Sequence, residues 1–171
     1  MNKSEKLLIF GAGQHGRVVR EIAAQSDCFA KIEFLDDAAE DAVGKLDVYE
    51  SLVGDFPYAF VAFGNNSLRR QWIEKIKDAG YNLPVIVHPA AVISPTAQLR
   101  DNVVVCANAV VDTESVVSQG GIVSIGALVG HHCFIGDACH IAVGAVVPNN
   151  SLVLAETKVE AGQVYRQTEN R

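Results

Sequence analysis

Clustered basic residues are missing from this sequence. Its 14 Lys and Arg are outnumbered by 20 Asp and Glu, for a formal net charge of -6. Sequence-independent nucleic-acid binding rests on dense Lys and Arg, so no DNA or RNA partner is expected. An anionic ligand would have to be held locally, by backbone N–H groups or a few side chains. No apolar run approaches the roughly 20 residues that cross a bilayer, so membrane insertion is not expected either. The stretch "MNKSEKLLIFGAGQHG" has too short an apolar segment for a signal peptide, which points to a cytoplasmic protein. Cys28, Cys106, Cys133 and Cys139 include no C-x-x-C pair, an argument against both structural zinc and a disulfide framework.

What is present is a globular composition, 49% apolar over 171 residues, enough for one or two compact domains. "KLLIF" is a short apolar run that ends in "GAGQHG", a G-x-G-x-x-G pattern of Gly11, Gly13 and Gly16. The helical pattern "RVVREIAAQ" follows it. A strand, a glycine turn and a helix N-terminus together favour a phosphate or pyrophosphate, because free N–H groups and the helix dipole attract negative charge. "KIEFLDD" reads as a second strand ending in Asp36 and Asp37, "YAFVAFGNN" as a third ending in Gly64 and Asn65, and "PVIVHP" as a last one. Acidic groups at a strand end can accept hydrogen bonds from a ribose or a base. Glycine turns also occur in α/β folds without any dinucleotide, and this stretch is too short for a six-stranded dinucleotide fold. NAD is therefore not expected.

From Ile93 onward every sixth residue is aliphatic: Ile93, Leu99, Val105, Val111, Val117, Val123, Val129, Ile135, Ile141, Val147, Val153 and Val159. Period six is neither helical nor a strand alternation. It is the signature of a hexapeptide β-helix, in which three hexads make one coil and the aliphatic residues fill its interior. Four residues after these positions the side chains are small, Val103 excepted, and Cys133 and Cys139 fall in that slot as packing residues. His131, His132 and His140 all lie off the aliphatic slot. Residues eighteen apart stack on successive coils about 4.8 Å apart, so Thr113 and Asn149 should flank His131, and Glu114 and Asn150 should flank His132. Without i, i+4 or Cys-x-x-Cys spacing, no metal is expected.

The ordered set "GAGQHGRVV", "FLDD", "AFGNN.LR", "VHPAAVISPTA" and "VGHHCFIGDACHIAVGAVV" resembles the sugar O- and N-acetyltransferases of the sialic-acid O-acetyltransferase (NeuD) and bacillosamine-pathway (PglD) family. The resemblance implies a small Rossmann-like α/β domain over residues 1–88 that binds a nucleotide sugar. A left-handed parallel β-helix of hexapeptide repeats would follow over residues 89–171. It also implies a homotrimer, and acetyl-CoA as co-substrate bound between β-helices of adjacent subunits. The implied activity is acetylation of the amino group of a nucleotide-linked, UDP-type amino sugar. His131 takes the place of the general base, His140 lies by the thioester with Gly144 and Asn149, and His15 reaches toward the acceptor. Gly11, Gly13, Asp36, Asp37, Gly64 and Asn65 form the nucleotide-sugar set.

The chain departs from that family pattern at two places. The family usually has Asp or Glu directly after the base, whereas here His132 stands there, leaving Glu114, one coil below, as a carboxylate that acts through it. "GAVVPNNSLV" also passes directly between two segments that a further coil normally separates, so the β-helix is expected to be one coil short. A non-catalytic trimeric nucleotide-sugar-binding relative and an O-acetyltransferase of a free sugar such as sialic acid are the competing readings.

Overall fold

The computed structural model describes residues 5–26 and 28–166, and the chain divides into two compact units, Met1–Ile86 and Val87–Arg171. In the first, strand β1 (Lys6–Phe10) is flanked by β2 (Lys31–Leu35) and β3 (Tyr58–Val61) in a parallel sheet of order β2-β1-β3. Leu7, Leu8, Ile9 and Phe10 are all fully buried, as expected of a central parallel strand covered on both faces. Helix α1 (Gln14–Gln25) turns Val19, Ile22 and Ala23 inward, and helix α2 (Asn66–Asp78) buries Ile73 and Ile76. A 3-10 helix, Leu46–Leu52, brings Tyr49 against Phe10, whose ring also meets Trp72 and Tyr81 at centroid distances of 5.8 and 5.9 Å.

The second unit consists of two-residue strands stacked into a parallel β-helix with three faces. The first face stacks Ile86–Val87, Val104–Val105, Ile122–Val123, His140–Ile141 and Lys158–Val159. The second stacks Val92–Ile93, Val110–Val111, Leu128–Val129 and Val146–Val147. The third stacks Gln98–Leu99, Val116–Val117, Phe134–Ile135 and Leu152–Val153. Pairing is between residues eighteen apart, such as Leu128 with Val110 and Val146. The second residue of each strand points inward, and from Val105 to Val159 these side chains are at most 1% exposed. Cys133 and Cys139 share that core, and burial pushes the neighbouring Cys106 thiol up to about 11, so it stays protonated at neutral pH.

Corners turn through a left-handed residue, mostly Asn (102, 108 and 150) or Gly (120, 126, 144 and 162), the types that enter this region most easily, with Glu114, His132, Ala138 and Glu156 at the others. One expectation needs correction. Ile86–Val87 does not join the α/β sheet but opens the first face of the β-helix, because Val87 is already in phase with Ile93. The six-residue register also runs past Val159 to Tyr165, whose ring packs on the core and whose hydroxyl donates to Leu152 O at 2.9 Å.

Candidate active site

The sheet order reverses between β1 and β3, where open α/β sheets place their ligands. Beyond those strand ends lies an open cleft of about 490 Å³, lined by Gly11, Gly13, Gln14, His15, Asp36, Ala62, Phe63, Gly64, Asn65 and Leu68. That is within the usual size range of a small-molecule site. The N-termini of α1 and α2 both open onto it, so two sets of end-on N–H groups and two helix dipoles favour an anion there. A Cβ at Gly13 would meet nothing within 4 Å, leaving room for a ligand to approach the backbone. Gly16 plays a different part: a Cβ there would fall on the Gly11 carbonyl oxygen, so this glycine seats the helix on the turn.

Asp36 has much of its capacity engaged within the protein. Its carboxylate accepts the Ala12 N–H at 2.8 Å and those of Ala38 and Ala39 at 2.9 and 3.0 Å. The Ala12 bond leads in holding Asp36 below the usual carboxylate range, against the opposing effect of burial. One oxygen of Asp37 accepts the Leu46 N–H at 2.9 Å, and Asn65 caps α2 through the Leu68 N–H. Asp36 therefore shapes the turn as well as lining the cleft, while Asp37 anchors the 3-10 helix. Arg69 is completely buried, donating to Phe63 O at 2.8 Å and Asn66 Oδ1 at 2.9 Å, so it holds the loop after β3. Sequence reasoning gave Arg69 no role, although its place four and seven residues before Ile73 and Ile76 marks the inner face of α2.

The histidine pair stands on the corner between Leu128–Val129 and Phe134–Ile135. Ser115, fully buried in the small-residue slot one coil below, donates to Gly130 O at 2.6 Å and accepts the Cys133 N–H at 2.9 Å. It pins both ends of the turn that carries His131 and His132. The His132 N–H bonds Thr113 O and the Asn150 N–H bonds His131 O, each at 2.9 Å. Asn149 lies over Gly130, occupying the space a Cβ would need, and its Oδ1 accepts the His131 N–H at 3.2 Å. The imidazoles meet Nδ1 to Nδ1 at 2.9 Å, and His132 Nε2 lies 2.9 Å from Glu114 Oε2. Asp112 shares the corner; hydrogen bonds from Thr113 hold its carboxyl below the usual range, and the two histidines add to the effect.

His140 stands apart from that pair, outward on the first face, with Nε2 3.0 Å from Ser124 Oγ. The amide of Gly144 is committed to Ile125 O at 3.0 Å, and the space beside its α-carbon is open. Ser115 and Ser124 were not anticipated; the only sequence signal for either is its fixed place in the hexad. Among the described residues no group of three or more His, Cys, Asp or Glu is placed to hold a metal ion, and no helix is long and apolar enough to cross a membrane.

Known proteins show the same construction. The PglD N-terminal domain family matches residues 6–76. The acetyltransferase domain of PglB from Neisseria gonorrhoeae is 34% identical, with 93% of this chain and 90% of that one covered and a TM-score of 0.84. PerB from Caulobacter crescentus, solved in complex with CoA and GDP-perosamine, is 30% identical, with 94% and 89% covered and a TM-score of 0.80. The PglB domain in complex with acetyl coenzyme A gives 29% identity, 95% and 91% coverage, and a TM-score of 0.65. With its α/β unit, its hexapeptide coils and this degree of likeness, the chain belongs to the PglD/NeuD family of hexapeptide-repeat sugar acetyltransferases.

Proposed function

We propose that this protein transfers the acetyl group of acetyl-CoA to the amino group of a nucleotide-linked amino sugar, UDP-linked in preference to GDP-linked, with His131 as general base. The observation that carries this reading is the half-buried His131 imidazole on a β-helix corner, its Nδ1 held by His132. The amine nitrogen attacks the thioester carbonyl, forming the N–C bond, and its proton passes to His131. Collapse breaks the C–S bond and the proton moves on to the departing sulfur, giving amide and CoA thiol. Imidazole suits both transfers because its ordinary pKa of about 6.5 lies near neutrality.

The cleft at the ends of β1 and β3, with its two helix N-termini, is the place for the diphosphate. His140, Gly144 and Asn149 are the candidates for the acetyl end, with Gly144 contributing open space rather than its committed amide. The assembly is a homotrimer: Val92, Leu128 and Val164 on one face, and Phe134 and Leu152 on the next, are 42 to 61% exposed. Apolar stripes of this kind call for a partner surface, and cyclic symmetry supplies it to every copy. The cytoplasm, where thiols stay reduced, suits the four free cysteines. Thiol release from acetyl-CoA in the presence of UDP- and GDP-linked amino sugars tests the activity. Release with neither acceptor class refutes it, and release with the GDP sugar alone moves the nucleotide assignment.

A further inference from the structure

We propose that His132 and Glu114 are a positioning pair that fixes the proton-accepting nitrogen of His131 as Nε2; this rests on the reading of His131 as the base. An ionised carboxylate accepts hydrogen bonds only, so the 2.9 Å contact between Glu114 Oε2 and His132 Nε2 puts a proton on that nitrogen. Neutral His132 then has a bare Nδ1. The 2.9 Å contact between the two Nδ1 atoms therefore takes its proton from His131. What remains on His131 is an unprotonated Nε2, the lone pair a general base needs. A doubly protonated His132 would reverse the middle bond and leave His131 carrying N–H at Nε2, unable to accept a proton there.

The backbone sets up this line of groups. Glu114 and His132 are eighteen residues apart and both left-handed, with φ of 54° and 55°, so their side chains leave the corner in parallel on adjacent coils. Left-handed backbone is unfavourable for residues that carry a Cβ, and most other corners of this β-helix use Asn or Gly. The Glu114 N–H is fixed by Thr96 Oγ1 at 3.0 Å, and the His132 N–H by Thr113 O. The rings stand nearly perpendicular, at 87° with centroids 5.0 Å apart, which directs one Nδ1 at the other. Asp112, the other carboxylate whose charge reaches both histidines, is occupied by the Thr113 N–H and hydroxyl through Oδ1.

Two readouts test the pair on the full chain. Nitrogen-15 NMR of the histidine side chains at pH about 8, above the ordinary imidazole pKa, should show His131 protonated at Nδ1 and bare at Nε2. In Glu114→Gln the side chain offers both a donor and an acceptor, so His131 should become a mixture of tautomers, whereas Asp112→Asn should leave it unchanged. In turnover, Glu114→Gln should lower kcat by about 10–100-fold, the range seen when the group orienting a ligand or base is removed, with both KM values within about twofold. That is less than the ~10⁴ of a buried triad carboxylate, because His132 and Glu114 are 52% and 60% exposed and solvent screens them. His132→Asp places a carboxylate directly beside His131, where it needs no second group to reach the ring. Adding Glu114→Gln to it should then change nothing further, a non-additivity expected only of groups acting in line. Protonated Nε2 on His131 in the native protein, or additive losses in the double variant, would overturn the proposal. Native protein that transfers no acetyl group but shows the expected tautomer overturns the proposed activity and leaves the pair standing.

Discussion

Gly13 and Gly16 lie three residues apart in one motif, yet replacing each with alanine should have opposite consequences. At Gly16 the new Cβ lands on the Gly11 carbonyl oxygen, 3.0 Å from its carbon and 3.6 Å from the Phe34 ring. Backbone on one side and a fully buried ring on the other leave nothing that can swing away, so α1 must lift off the turn. Overpacking of this kind costs about 1–3 kcal/mol, and a rigid backbone obstacle puts Gly16→Ala near the upper end. Alanine recovers about 1 kcal/mol of helix propensity, for a net loss of about 2 kcal/mol. For a unit of this size that lowers the melting temperature by roughly 8–16 °C. At Gly13 the backbone is extended, with φ of -69°, and the space is open, so Gly13→Ala should melt within about 2 °C of the parent. Its Cβ would instead project toward the cleft and weaken binding of a UDP sugar at least tenfold, about 1.4 kcal/mol. Calorimetric melting and isothermal titration on the two variants settle the matter. Unchanged melting in Gly16→Ala, or unchanged binding in Gly13→Ala, refutes the division of labour.

His131→Ala should cut turnover by about 10²–10⁴-fold, the usual range for a lost general base, while light scattering still shows the native assembly. The Asp36 carboxyl is held below its ordinary value in the folded chain, so unfolding takes up its proton first. Its stabilisation is full above about pH 4 and fades as pH falls through the lower folded-state value. The stability gap between wild type and Asp36→Asn, followed by urea melts from pH 7 to 2, should accordingly close at the acid end; a gap that widens there contradicts the hydrogen-bond account. Leu128→Glu combined with Phe134→Glu should convert a trimer into smaller species by light scattering, and a native monomer at micromolar concentration would refute the assembly. The shortened β-helix expected from the sequence predicts weak acetyl-CoA binding, which an in-phase eighteen-residue insertion between Val147 and Pro148 should strengthen; low-micromolar affinity in the native chain would contradict this.

The β-helix was legible because a single geometric requirement, one inward aliphatic side chain per face, recurs at every sixth residue. Its two ends were not. Val87 sits in "PVIVHP", which reads equally well as a sheet strand, and Tyr165 fills an aliphatic slot with a ring that needs a hydrogen-bond partner. The α/β unit was legible in its strands and glycine turn, since apolar runs and G-x-G-x-x-G need no tertiary knowledge. Asp36 could be placed at a strand end but not aimed: whether a carboxylate faces a ligand or the Ala12 N–H depends on turn geometry that composition does not carry. Stacking arithmetic brought Glu114 next to His132, yet the Nδ1 to Nδ1 contact depends on side-chain rotation, on which a period of six is silent.

Each strand of the β-helix is only two residues long and pairs solely with the coils before and after it, so cohesion in that unit is passed from neighbour to neighbour, as in a one-dimensional chain. Thermal opening in such a stack begins where a rung has one neighbour and advances rung by rung. The coil of His131 has Thr113 beneath it and Asn149 and Asn150 above, both joined to it by hydrogen bonds. Amide hydrogen exchange should therefore form a gradient, fastest around Lys158 and Tyr165 and slowest near Val129 and Ile135. The histidine corner lies in the slow-exchanging middle, so unzipping at either end would leave it intact until the neighbouring rungs had opened.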